Sequence, residues 1–203
     1  VSSTSITCTT PAGTTGAKNV VVTNSDTQAS TLTGGFTYLP AAPGTPDVDT
    51  GSDTGSSNSD NITSDNTPTL SVSGATNGNT VTVTATKAGS TSVTCTFTAA
   101  VGTTSCDLGT LSEGVWSITS KQTNSGIDSV ASSALSLTID RTLPTVSSFS
   151  STTANGSYGV GTAINITATM SEDVAVGASI TVTLDTGDTV VLTRATSTTL
   201  TGT

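Results

Sequence analysis

The chain has 203 residues, five Lys and Arg against fourteen Asp and Glu, a net charge of −9 and no histidine. The few cations are scattered singly, so the composition argues against nucleic-acid binding, which needs a basic surface. Without histidine the chain lacks the commonest general base and transition-metal ligand, and it has no apolar run approaching the ~18 residues of a membrane span.

Residues 1–39 alternate polar and apolar side chains in three stretches, which predict strands at 5–10, 18–24 and 32–38. Phe36 and Tyr38 are two residues apart and therefore point to one face of the sheet. The order Pro11-Ala-Gly, Gly16 to Asn24 and the final Phe-x-Tyr resembles the closing half of an IPT/TIG domain, an immunoglobulin-like module. The resemblance implies that residues 1–39 are the C-terminal part of such a β-sandwich. Because the pattern starts midway, we expect a segment of a longer protein.

Residues 40–66, the first joint, are rich in Pro, Ser and Asp and contain no Lys, Arg or aromatic residue. Strand-like sequence on both sides predicts a joint between two β modules. Its five aspartates are Asp47, Asp49, Asp53, Asp60 and Asp65. Carboxylates are ligands that Ca²⁺ prefers, so one hypothesis is calcium that locks neighbouring modules. Aspartate is also an ordinary turn residue, and the alternative is a flexible acidic linker without metal.

Residues 67–143 contain the one complete module. The predicted strands are 69–73, 80–86, 92–98, 105–108, 114–121 and 133–139. Short strands at this spacing indicate an antiparallel sandwich. We therefore predict an all-β chain of tandem immunoglobulin-like antiparallel β-sandwiches joined by short linkers. The single tryptophan, Trp116, lies in an alternating strand and is expected to pack in the core.

Cys95 and Cys106 flank a strand and a turn, and two strands folded back over that distance bring their Cα atoms within disulfide reach. A disulfide here fits an oxidising, extracellular compartment. The alternative is two buried thiols in a cytosolic protein. Cys8 has no evident partner, and we expect it either to be buried or to pair outside this segment.

Residues 144–203 begin a further module, with strands predicted at 146–149, 163–170, 179–184 and 189–194. Residues 138–146 are the second joint, where Asp140 is the firm candidate for a calcium ligand. Asp128 or the adjacent Glu172 and Asp173 are additional donors that the fold has to bring close.

Three segments resemble the bacterial Ig-like repeats of large surface proteins and adhesins: residues 45–70, LSEGVWSIT at 111–119 and LTIDRTLPTV at 137–146. The string that ends in Ser171-Glu-Asp-Val resembles the start of another such repeat. The resemblance implies a structural repeat or stalk segment of a large extracellular or cell-surface protein. Its partners are then the neighbouring modules of the same longer chain.

Two other functions stay open at this point. The chain could be a subunit of an extracellular filament or surface layer, because sandwich edges can pair with a strand from a like subunit. It could also bind carbohydrate or a host protein, and exposure of Trp116 or Tyr158 on a loop would favour that function, whereas burial would favour the stalk.

We predict no enzyme, because the abundant Ser and Thr have no histidine base and the adjacent Glu172 and Asp173 point to opposite faces of a strand. Thr-x-Thr arrays at 80–86 and 181–186 raise the question of ice binding. A threonine ladder of that kind needs a fixed short repeat, which is missing. We therefore interpret these threonines as the solvent side of sandwich strands.

Overall fold

The computed structural model describes residues 5–101 and 104–203, and within them all regular structure is β-strand. The prediction of an all-β fold is confirmed. In these same residues there is accordingly no apolar helix long enough to cross a membrane.

Sixteen strands are found in the described residues. The first eight are β1 (Gly16–Thr23), β2 (Ala29–Tyr38), β3 (Asp47–Val48), β4 (Ile62–Thr63), β5 (Thr69–Val72), β6 (Thr80–Thr86), β7 (Val93–Thr98) and β8 (Thr104–Asp107). The others are β9 (Gly114–Asn124), β10 (Ile127–Asp128), β11 (Leu135–Ile139), β12 (Val146–Ser150), β13 (Ile166–Met170), β14 (Ser179–Thr183), β15 (Thr189–Thr196) and β16 (Thr199–Gly202).

The strands belong to two compact units, which are described separately. The first unit comprises Val1–Asp47, Leu70–Leu108 and Ser117–Leu135. The second comprises Val48–Thr69, Gly109–Trp116 and Ser136–Thr203.

Within the first unit, β1 and β2 form an antiparallel hairpin that pairs Gly16 with Tyr38. The rings of Phe36 and Tyr38 lie on one face in an edge-to-face contact, with centroids 5.2 Å apart. The Tyr38 hydroxyl donates to the Pro11 carbonyl, and its ring lies so close to Gly13 that a Cβ there would overlap it. The strand predicted at 5–10 is wrong: apart from an isolated bridge at Ser5, this stretch has no regular secondary structure and is exposed.

The central ladder of the first unit runs in the order β10-β9-β6-β7 and is antiparallel throughout. On β6, Val81, Val83 and Ala85 are fully buried, whereas the intervening threonines face the opposite side. The interpretation of these threonines as the outer side of a sandwich strand therefore agrees with the structure.

Cys95 on β7 and Cys106 on β8 are joined by a disulfide, with their Cα atoms 6.1 Å apart. The two strands lie in different sheets, because β8 pairs in the three-stranded sheet β3-β5-β8. The bond thus connects two sheets, whereas the sequence suggested the two arms of one hairpin. Cys8 is exposed and free, so the first of its two alternatives, burial, is wrong, whereas pairing outside this segment stays a prediction.

In the second unit, β4 pairs in parallel with β11, and β12 to β16 form a five-stranded antiparallel sheet in the order β12-β13-β16-β15-β14. Both strand predictions at 179–184 and 189–194 agree with β14 and β15, whereas β16 was not predicted. The apolar cluster of this sheet consists of Ala168, Met170, Val174, Leu192 and Leu200.

The first joint contains more structure than a linker. It carries β3 and β4, and Val48, Ser52, Asp53 and Thr63 are all less than a tenth exposed. Neither short strand was predicted, because two residues are too few to show alternation. The boundary between joint and sandwich at residues 66 and 67 stays a prediction.

Replacing Cys95 with Ala should lower the free energy of unfolding by about 3 kcal/mol, because the disulfide closes a short loop in the unfolded chain. The sequence separation of the two cysteines is 11 residues. Urea unfolding of the oxidised protein, the reduced protein and the variant measures the effect. The reduced protein should match the variant, and equal stability of all three would contradict the structural role of this bond.

Candidate functional site

The five aspartates of the first joint mostly bind backbone amides of their own loop. Asp53 Oδ2 accepts from the Asn61 amide at 3.1 Å, and Asp60 Oδ1 accepts from the Ile62 amide at 3.1 Å. Asp65 Oδ1 accepts from the Thr67 amide at 2.9 Å. These are the turn-forming contacts expected of aspartate.

The remaining two aspartates of the set, Asp47 and Asp49, contribute through their backbone. The Asp49 carbonyl accepts from the amides of Ser52 and Asp53, and its amide donates to Thr69. Asp47 is exposed, and its carbonyl lies 3.5 Å from the Ser71 hydroxyl.

A buried threonine organises the loop that carries these aspartates. Thr63 is 1% exposed, and its Oγ1 accepts from the amides of Thr54 at 3.2 Å and Asp65 at 3.0 Å. The same hydroxyl donates to the Ser52 carbonyl. One side chain thus satisfies three backbone groups, which a loop without regular ladders would otherwise leave unpaired.

Two buried carboxylate oxygens have no hydrogen-bond partner within the described residues: Asp53 Oδ1 and Glu172 Oε1. However, no three acidic, Cys or His side chains in residues 5–101 and 104–203 come together as a metal-binding group. Ca²⁺ requires six to eight oxygen ligands. The side chains present do not form such a set, and calcium at the joints stays a prediction from the sequence.

The second joint lines a cleft in the second unit, with a volume of about 620 Å³. Its walls include the carboxylates of Asp60, Asp140, Glu172 and Asp173. The fold therefore brings Asp140 to the same cleft as Glu172 and Asp173. Its apolar lining includes Met170, Val174, Ile180 and Leu200, which belong to or pack against the apolar cluster of the five-stranded sheet.

Asp128, the other donor considered for the second joint, is engaged elsewhere. Its Oδ2 accepts from Lys121 Nζ at 2.5 Å, and its Oδ1 accepts from the Thr123 hydroxyl at 2.7 Å. These hydrogen bonds hold the pKa of the Asp128 carboxyl below its usual value. Asp128 lies on β10 and closes the hairpin with β9.

The aromatic residues were the test for a binding face. Trp116 is 2% exposed, and its indole N–H donates to the Ser112 carbonyl at 2.8 Å. Tyr158 is 44% exposed on the loop between β12 and β13, and its hydroxyl donates to the Ala154 carbonyl of that loop. Burial of Trp116 favours the stalk, whereas the exposure of Tyr158 on a loop favours the binding alternative.

Sequence reasoning missed two polar residues on the inward side of β9, Ser120 and Gln122, which are 1% and 0% exposed. A signal was present, because they continue the inward alternation that begins with Trp116 and Ile118. A glutamine at a core position needs partners for its whole amide. The partners of the Gln122 side chain are Ala41, Thr76 and Asn79.

The Asp65 carboxyl makes the stability of the loop dependent on acid. Partial burial raises its pKa, but hydrogen bonds from the Thr67 amide and from the hydroxyls of Ser52 and Thr67 outweigh that effect, so its pKa is lowered. Because its pKa is lower in the folded than in the unfolded state, the ionised Asp65 carboxyl stabilises the fold above pH 3.8. This stabilisation is lost as the pH falls through the folded-state pKa. We expect Asp65→Asn, which keeps an acceptor, to flatten the fall in urea midpoint below about pH 4. An unchanged acid slope in the variant would contradict this account.

The calcium prediction has a direct test in thermal melting with calcium and with excess EGTA. A rise in melting temperature on adding calcium, lost in Asp53→Asn and Asp140→Asn, would support ions at the joints. An unchanged melting temperature would rule out calcium ions at the joints of this segment. The scattered placement of the aspartates favours this second outcome.

Comparison with known proteins gives two family matches, one to the beginning of the chain and one to its middle. A family model described as bacterial Ig-like domain matches residues 40–141, and one described as IPT/TIG domain matches residues 1–38. A search of the curated proteins finds no match. Among solved structures, a crystal structure of a tetra-tandem repeat in the extending region of a large adhesion protein is 18% identical with a TM-score of 0.32. That match covers 90% of this chain and 46% of the other.

The first family match includes the whole acidic joint as well as the sandwich after it, in keeping with the short strands β3 and β4 found there. Because this match spans half of the 203 residues, the chain belongs to the bacterial Ig-like domain family.

Proposed function

We propose that this chain is a structural repeat segment of a large, adhesin-like bacterial protein, located outside the cell or on its surface, which positions other domains. The family match and the repeat resemblance support this role. Its mechanism is mechanical: sandwiches hold their own cores, and the segments that join them are fastened to strands.

The second joint carries this proposal. On one side the amides of Thr138 and Asp140 donate to the carbonyls of Asn61 and Thr63 at 2.9 and 2.8 Å. On the other side Thr145 and Ser171 bond to each other twice, at 2.9 and 2.8 Å. A connection fastened at both ends transmits orientation, which is what a positioning segment requires.

Glu113 reinforces the same joint. Its Oε1 accepts from the Arg141 amide at 2.9 Å, so a side chain of the preceding module holds the backbone immediately after β11. The residues between the two fastened ends are exposed and face water. The joint is therefore held at both ends by directional hydrogen bonds.

The extracellular location draws its support from the disulfide and from the surface composition. Structural disulfides persist in oxidising compartments. A surface of Ser, Thr and acidic residues with a net charge of −9 keeps a protein soluble in exposed, crowded settings.

The proposal is tested by binding and assembly of the purified chain. We expect no saturable binding to arrays of glycans and host matrix proteins, and a monomer at all concentrations in sedimentation. Saturable binding that Tyr158→Ala abolishes and Phe149→Ala leaves intact would establish the binding module instead. Ordered polymers with repeated contacts would establish the filament or layer subunit. Phe149 is a suitable control because it is also exposed, at 54%, but lies on a strand.

A further inference from the structure

The beginning of the first joint carries a regular stripe of proline. Pro40, Pro43 and Pro46 are all buried, whereas Ala41 and Ala42 between them are exposed. A spacing of three matches the three residues per turn of a polyproline II helix, which places the prolines along one edge. Proline has no amide hydrogen, so burying it leaves no donor without a partner. We call residues 40–46 the strap.

Three backbone groups of the strap are hydrogen-bonded to residues of β9 and to Ser73, which follows β5, within the first unit. The Ala41 carbonyl accepts from Gln122 Nε2 at 2.7 Å, and the Gly44 carbonyl accepts from the Ser120 hydroxyl at 3.0 Å. The Gly44 amide donates to the Ser73 carbonyl at 2.8 Å. The strap is thus bound to β9 and to the end of β5 at successive points.

The donor that binds Ala41 is held in place by contacts other than the strap. Gln122 Oε1 accepts from the Thr76 amide and from Asn79 Nδ2, both at 2.8 Å. The backbone of Gln122 also bonds with the backbone and hydroxyl of Ser129. Because these contacts fix the side-chain oxygen of Gln122, its Nε2 is directed toward the strap.

Close packing at Gly44 shows how tightly the strap lies against the sandwich. A Cβ at this position would come within 2.7 Å of Ser73 Oγ and 3.0 Å of the Ser73 carbonyl oxygen. The closer contact is with a hydroxyl that can rotate away, but the contact with the backbone carbonyl is tighter than most real Cβ contacts, so an alanine here would force the strap or Ser73 to shift by a few tenths of an ångström. Glycine is therefore favoured here by proximity.

The strap contrasts with the second joint, where residues 141–146 are all exposed. It also contrasts with the calcium hypothesis, because its contacts involve no carboxylate. We propose that the strap stiffens the entrance to the bacterial Ig-like module without a metal ion. The inference deepens the structural role proposed above and rests on it for its biological meaning, but its physical content can be tested separately.

The test is hydrogen exchange of the Gly44 amide, followed by NMR in the full chain with calcium and with excess EDTA. The Val83 amide is the internal reference, because β6 pairs on both sides and reports global unfolding. We expect Gly44 to be protected equally in both solutions, with backbone order parameters near 0.85 for residues 41, 42, 44 and 45, the value of rigid backbone.

Two variants and a matched control distinguish the contacts of the strap from those of the acidic loop, the part of the first joint that carries Asp53, Asp60 and Asp65. Ser120→Ala should speed exchange at Gly44 about fivefold relative to Val83, as expected for one lost hydrogen bond. Gly44→Ala, which keeps the amide, should speed it more than about tenfold because the clash displaces the strap. Ser52→Ala removes a buried hydroxyl from the acidic loop, where Ser52 is 7% exposed against 1% for Ser120, and should leave the exchange ratio unchanged.

Protection of Gly44 that appears only with calcium would overturn the proposal in favour of an ion-dependent joint. An unchanged ratio in both Ser120→Ala and Gly44→Ala would also overturn it, since the strap would then be held by other contacts. These outcomes are independent of the binding and sedimentation experiments, so the strap can fail while the structural role stands, and the reverse.

Discussion

The buried amide of Gln122 is the contact on which the first unit depends most. It is fully buried and binds two separate parts of the chain, the loop at 76–79 and the strap at Ala41, while the backbone of Gln122 bonds with Ser129 after β10. A buried polar group of this kind is stabilising only when every partner is present. Removing it would leave the Thr76 amide, the Asn79 side chain and the Ala41 carbonyl without their partner together, which costs far more than one hydrogen bond.

This dependence on polar contacts follows from the composition. Only 3% of the residues are aromatic and 9% are charged, so the chain has few large apolar side chains and few ion pairs to use. Its cores consist largely of Val, Ala, Leu and Ile, with the single Trp buried. Hydroxyl groups therefore take structural roles that side chains of other types fill elsewhere: Thr63 organises the acidic loop, Ser120 holds the strap and Ser171 caps the second joint.

The two joints are held by different contacts. In the sequence, five aspartates and several prolines indicate either an ion-dependent or a flexible first joint. In the structure, the carboxylates of Asp53, Asp60 and Asp65 accept from backbone amides of their loop, and the prolines at 40, 43 and 46 are buried. The second joint is exposed and held only at its ends. Both arrangements suit a positioning segment. The first joint is docked along its strap, and the second joint is fixed at its two ends by a small number of hydrogen bonds.

By itself, the sequence determined the all-β class, most strands of the sandwiches and the inward position of Trp116, because alternation and turn residues are local properties of the chain. It also placed Cys95 and Cys106 within bonding distance, though not in separate sheets. Only the tertiary structure decided what the first joint does. Whether a proline-rich segment docks depends on groups far away in sequence, since Ser120 and Gln122 lie 76 and 81 residues beyond their strap partners. No local pattern in residues 40–46 records that those donors exist, because their positions are set by the ladder of β9 with β6.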